Sequence, residues 1–187
     1  KMSLAVAAAS ACATGHRLEL KTALKFEMID SKSSITEKFK RMKALGFDSI
    51  EVQSSSYDKG ELLSAASQSK LKISCLNHSQ SWSKPLTHEN SLIRQIAVDS
   101  VLNALNEASE LGVPALQLIP GVLNSRMNFD LCRSFSVDCF KEIIPRAQKL
   151  GVKLLLVNEE ACFLQTALQT RDFINQLNSP VVQAVVN

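Results

Sequence analysis

The chain has 187 residues, 45% of them hydrophobic, and a formal net charge of +3 from 21 basic and 18 acidic residues. Length and apolar share suit one domain with a sizeable core. The near balance of charge and the 5% aromatic share exclude an extended nucleic-acid surface, which needs clustered cations and stacking rings. The longest basic run, Lys38 to Lys43, falls on one side of a helix whose other side is Ile35, Phe39, Met42 and Leu45, and reads as a solvated face. The five cysteines show no CxxC and no zinc spacing; Cys132 and Cys139, seven apart, fit a packing stripe on a helix.

At the N-terminus, Leu4–Ala13 is an alanine-rich apolar run with the length of a signal-peptide core, ending in small residues, and only Lys1 and two further residues precede it. Two readings stand open: an export signal, which would make the protein periplasmic and start the mature chain near Thr14–Leu20, or an alanine-rich helix packed on the body of a cytoplasmic protein. The run is too short to span a bilayer, which takes about 20 residues. Residues 21–187 form the remaining domain, with no linker or low-complexity stretch inside it.

Six strands are expected in that domain, at Lys25–Ile29, Ser49–Gln53, Lys72–Asn77, Ala115–Pro120, Lys153–Asn158 and Val181–Asn187. Helices fill the gaps. The first starts at the capping box Ser34-Ile35-Thr36-Glu37 and runs to Leu45. The others cover about Asp58–Ser69, Ser91–Leu111, Asp130–Leu150 and Ala167–Leu177, with apolar residues at helical spacing; Pro145 is expected to kink the fourth. One motif recurs three times at the joints: Leu45-Gly46-Phe47, Leu111-Gly112-Val113 and Leu150-Gly151-Val152. Glycine ends a helix in the left-handed conformation at no steric cost, and the apolar residue after it starts a buried strand.

Unbroken β/α alternation fits a closed barrel or an open doubly wound sheet. The open sheet calls for a phosphate-binding glycine loop, and the six glycines form neither GxGxxG nor GxxxxGK[ST]. The barrel is the better match, but eight strands normally take about 250 residues, so the expected fold is a TIM-barrel-like repeat of parallel strands truncated to about six. Its two sheet edges call for a homo-oligomer or another partner to cover them.

The blocks Leu24–Ile29 (LKFEMI), Glu37–Val52 (EKFKRMKALGFDSIEV), Trp82–Leu86 (WSKPL), Leu118–Asn124 (LIPGVLN), Ile144–Leu156 (IPRAQKLGVKLLL) and Phe163–Pro180 occur here in one order. In that order they resemble the xylose isomerase-like barrel superfamily, in its sugar phosphate isomerase/epimerase branch. The resemblance implies a divalent metal (Mg, Mn, Co or Zn) held by carboxylates and a His at the ends of the last four strands. Such a metal polarises substrate oxygens while acid/base residues move a proton between adjacent carbons. It places the first metal carboxylate at Val157 and the second at Asn187, neither of which carries a negative charge. No cofactor is therefore expected for this chain.

The same resemblance puts a His just before the WSKPL segment, where this chain has Ser81; His78 lies three residues earlier. Glu51 matches the acidic residue at the end of the second strand, suited to a sugar hydroxyl or to a base role if burial raises its pKa. Glu159, two positions past Val157 and so on the same strand face, is the candidate for a displaced carboxylate; a solvated loop pair with Glu160 is the bland alternative. Trp82, Lys84 and Asn158 complete the expected contacts, as a stacking ring, a phosphate or hydroxyl contact and an amide. The expected function is that of a protein related to sugar phosphate isomerases and epimerases whose metal chemistry is impaired. A carbohydrate-binding or assembly protein without catalysis is the alternative.

Overall fold

The computed structural model describes residues 21–29, 32–159 and 161–185. Leu4–Ala13, Glu160 and Asn187 lie outside them. The elements are β1 (Ala23–Lys25), α1 (Ile35–Ala44), β2 (Ser49–Gln53), α2 (Lys59–Ser69), β3 (Lys72–Asn77), α3 (Ser91–Glu110), β4 (Ala115–Leu118), α4 (Phe129–Leu150), β5 (Lys153–Leu156), α5 (Ala167–Leu177) and β6 (Val182–Ala184).

Local chemistry sets most of these limits. The Ser34/Glu37 capping box opens α1, and a second box, Thr166 with Gln169, opens α5. Asp58, Asn90 and Asn128 cap the other helices by accepting a backbone N–H of the first turn. The three Leu-Gly joints close alike. Gly46, Gly112 and Gly151 take φ of +87°, +66° and +68°, and the next residue donates back five positions: Phe47 to Met42 O, Val113 to Ala108 O and Val152 to Ala147 O. This is the Schellman closure, with the apolar residue after glycine folded onto the last helical turn.

The strands form one parallel sheet in sequential order, β1-β2-β3-β4-β5-β6. A doubly wound sheet reverses its strand order at a switch point; this one does not, so the β/α repeat winds one way, as in a TIM barrel. Strand residues alternate between two faces. Ile50, Val52, Leu76, Leu116, Leu154 and Leu156 point to the helices and, with Phe39, Val101, Leu105, Phe140, Ile143 and Phe173, form the core. The other face carries the polar set described below. Among the described residues no helix is long and apolar enough to cross a membrane.

Several strand limits shift. The first strand ends at Lys25, and Phe26–Met28 is a 3-10 turn. The Gln53 N–H, next along β2, donates to the Glu27 carboxylate (2.9 Å), so a side chain takes the place of a strand partner. Phe26 turns into the core against Phe39 and Tyr57. β4 stops at Leu118, two residues before Pro120, which has no N–H for a ladder. β5 stops at Leu156, and its continuation Val157 still donates to Leu118 O. α4 runs through Pro145 as one element: the proline is exposed, and Lys141, whose carbonyl loses its partner, is also at the surface.

Candidate functional site

Ligands of parallel β/α folds meet the carboxyl ends of the strands. There, the inner-face residues Gln53, Asn77 and Gln117 lie side by side across β2, β3 and β4. Each is a neutral amide with two donors and an acceptor. They line a cleft of about 260 Å³ with Lys25, Glu27, His78, Ser79, Ser81, Trp82, Leu118, Ile119, Val157 and Glu159. A larger open groove, about 600 Å³, runs between α3 and α4 on the outer side, away from the strand ends, past Asp99, Glu142 and Arg146. The cleft has the inward-facing polar row, so it is the candidate site.

The Asn77 amide in the cleft wall is only partly satisfied. Its nitrogen donates to Glu51 Oε2 over 3.5 Å, and its Oδ1 is buried with no hydrogen-bond partner among the described residues. Glu27, by contrast, is held by the Gln53 N–H, and burial, then the Glu27 negative charge, raise the pKa of Tyr57.

The residues singled out from sequence separate into three groups. Trp82, Glu159 and Val157 line the cleft together, and Trp82 is 49% exposed. Val157 and Glu159 share the inward side, while Asn158 between them lines a different groove, with Ile174 and Val185 between α5 and β6. Glu51 sits one row below the mouth, beside Lys25 and Cys75 in register, and reaches the site through Asn77. Lys84 does not line the cleft; its backbone N–H donates to Gln80 O.

His78 borders the cleft, but both ring nitrogens are engaged, Nδ1 with the Ser81 hydroxyl and Nε2 with the Ser100 hydroxyl on α3, each at 2.9 Å. Burial pushes its pKa down to about 4, so the ring is neutral at pH 7 and acts as a clamp between β3 and α3. Ser81, which stands where the resemblance puts a His, is buried and also accepts the Ile119 N–H (3.4 Å). Cys75 is no nucleophile: burial first, then the Glu51 charge, push its thiol up to about 12. Glu27, Gln53, Asn77 and Gln117 were not anticipated. The three amides carry a signal in the sequence, each at or near the end of one of three successive apolar strands.

The described residues do not fit a catalytic divalent metal. Val157 is apolar and 2% exposed, both nitrogens of His78 are occupied, and no three His, Cys, Asp or Glu side chains of the described residues come together. Hard cations need several anionic oxygens at short range, and an amide row supplies none.

A model of the xylose isomerase-like TIM barrel matches residues 39–187. Among solved structures, the chain is similar to the 3-keto-D-glucoside 4-epimerase of E. coli, with a TM-score of 0.74 and 16% identity over 88% of this chain and 66% of that one. It is similar also to the D-psicose 3-epimerase of Clostridium cellulolyticum, with a TM-score of 0.76 and 18% identity over 88% and 62%. A third is an AP endonuclease of family 2 from Brucella melitensis, with a TM-score of 0.75 and 16% identity over 89% and 67%. The chain therefore spans about two thirds or less of the first two of these structures. No curated protein matches it by sequence. At such identities the structural likeness carries the fold, and the sequence match carries the family: this chain belongs to the xylose isomerase-like TIM barrels.

Proposed function

We propose that the cleft binds a small sugar through its amide row, and that the metal-assisted isomerisation or epimerisation implied by the resemblance is lost or strongly weakened in this chain. The observation that carries the binding half is Asn77 Oδ1, a buried acceptor without a partner, flanked in register by Gln53 and Gln117. Leaving such an acceptor unpaired costs about 1–3 kcal/mol; the atom is closed to solvent, so a sugar hydroxyl recovers that cost once the amide turns toward the cleft. Trp82 supplies an apolar ring face at the mouth, and Glu27 and Glu159 supply hydroxyl acceptors. Similar folds are named as sugar epimerases, one of them solved with D-tagatose, which is the ligand chemistry proposed here. The second half rests on Val157, an alkyl group where the first metal carboxylate is implied.

The test is calorimetry on chelator-stripped protein of known oligomeric mass, titrated with D-psicose and D-tagatose, then with Mg, Mn, Co and Zn. Sugar binding that is the same with and without chelator, and no micromolar metal site, is the expected result. One micromolar metal site per chain, or metal-dependent turnover of either sugar, would overturn the loss of catalysis. Absence of sugar binding overturns the binding half. A second reading, assembly through the sheet edges, is supported by β1 and β6 each having a strand neighbour on one side only among the described residues; an obligate oligomer that binds neither sugar nor metal would favour it.

A further inference from the structure

We infer that the cleft selects uncharged sugars against their phosphate esters, with Glu27 as the residue that sets this preference. The inference rests on the proposed sugar-binding role and names its substrate class. The charged side chains lining the cleft are Lys25, Glu27 and Glu159, one cation against two carboxylates. The cation is also shared: Lys25 lies beside Glu51 in the β1–β2 register, on the inner face one row down. Lys84, the residue whose chemistry suits a phosphate, does not line the cleft, and no arginine does among the described residues. A phosphate ester carries close to two negative charges at neutral pH and binds where cations or several free backbone N–H groups converge. Here it would meet a net negative wall of amides and carboxylates.

Glu27 is the decisive member because its charge cannot swing aside. The Gln53 N–H donates to its carboxylate, which holds it just past the end of β1 as an acceptor for a hydroxyl and a repulsive charge for a phosphate. Phe26, the neighbour that starts the same 3-10 turn, is fully buried against Phe39 and Tyr57, which anchors the turn in the core. Glu159, across the cleft, doubles the effect but lacks such a clamp. Glu27→Gln keeps an acceptor for the Gln53 N–H and removes only the charge, so the variant isolates the electrostatic part.

The experiment is a matched pair, D-fructose and D-fructose 6-phosphate, titrated calorimetrically into the 187-residue protein and into Glu27→Gln, at low and at high salt. D-Fructose is expected to bind and its 6-phosphate to bind at least about tenfold more weakly, since two like charges within a few ångströms readily cost that much. The gap is expected to narrow in Glu27→Gln and, because screening weakens charge repulsion, at high salt. Equal or tighter binding of the phosphate ester would overturn the selectivity while leaving sugar binding in place. A gap unchanged in Glu27→Gln, with the variant's thermal unfolding unaltered, would overturn the role of Glu27. Binding of neither ligand sinks the sugar-binding reading and this inference with it.

Discussion

The two halves of the sheet present different chemistry at the same end. At the mouth of β1–β3 the inward groups are Lys25, Glu27, Gln53 and Asn77, with Glu51 just beneath; at the mouth of β4–β6 the cleft is lined by Gln117, Ile119, Val157 and Glu159. The second half is where the family resemblance calls for metal carboxylates, and its central position is a buried valine. Strand order runs on sequentially through both halves, so one framework carries both linings. Packing depends on the outward face of each strand, and site chemistry on the inward face, so the two vary independently.

Replacing Val157 by Glu is the most direct attempt to break this contrast. The new carboxylate is placed in a 2% exposed position that shares the cleft wall with Leu118 and Ile119. We expect a loss of about 3–5 kcal/mol in urea unfolding, and no micromolar Mn binding, because one carboxylate does not make a site. Tight Mn binding by this variant would mean that the second half is a single residue away from a metal centre.

The polar half is sharpened by pH. The folded-state pKa of His78 is depressed to about 4 from an ordinary 6.5, with burial as the cause. A depressed base contributes stability that is fully present above pH 6.5 and is lost as pH falls towards 4; the full difference is about 3 kcal/mol. The urea midpoint is therefore expected to be level above pH 7 and to fall between about pH 6.5 and 4. His78→Gln should flatten that fall. A midpoint that declines equally in both proteins would assign the acid sensitivity elsewhere.

The smallest expected effect probes how the apolar half is packed. Gly121 follows Pro120 after β4, and a Cβ there would stand 2.2 Å from Thr87 Cγ2. Thr87 is buried and exchanges two hydrogen bonds with the Val122 backbone, donating to its O at 2.8 Å and accepting from its N–H at 2.9 Å. Gly121→Ala must push this clamp apart, at a cost of about 1–3 kcal/mol, read as a lower thermal midpoint with sugar binding intact. If sugar binding falls as well, the β4 loop is coupled to the polar half.

Much of the architecture is legible in local chemistry. The capping box at Ser34, the three Leu-Gly joints and the Thr166 box that opens α5 depend on contacts within a few residues, which the chain order displays. The candidate site is less legible because its contacts are remote in sequence. His78 is read from sequence as a candidate sugar contact, yet Ser100, 22 residues on, occupies its outer nitrogen. Glu27 enters the site through Gln53, 26 residues away, and the same bond ends β1 earlier than its apolar pattern predicts. Asn158 and Glu159 differ by one position and fall on opposite faces, which the strand period anticipates once the register is known.

By itself, the sequence determined the β/α repeat, the family and the apolar side chain at position 157, since each depends on residue identity and short-range spacing. Only the tertiary structure decided which polar groups share the cleft and which are already engaged. Hydrogen-bond saturation and the sign of the charge in the cleft are properties of groups brought together across strands, and no window of the chain contains them all.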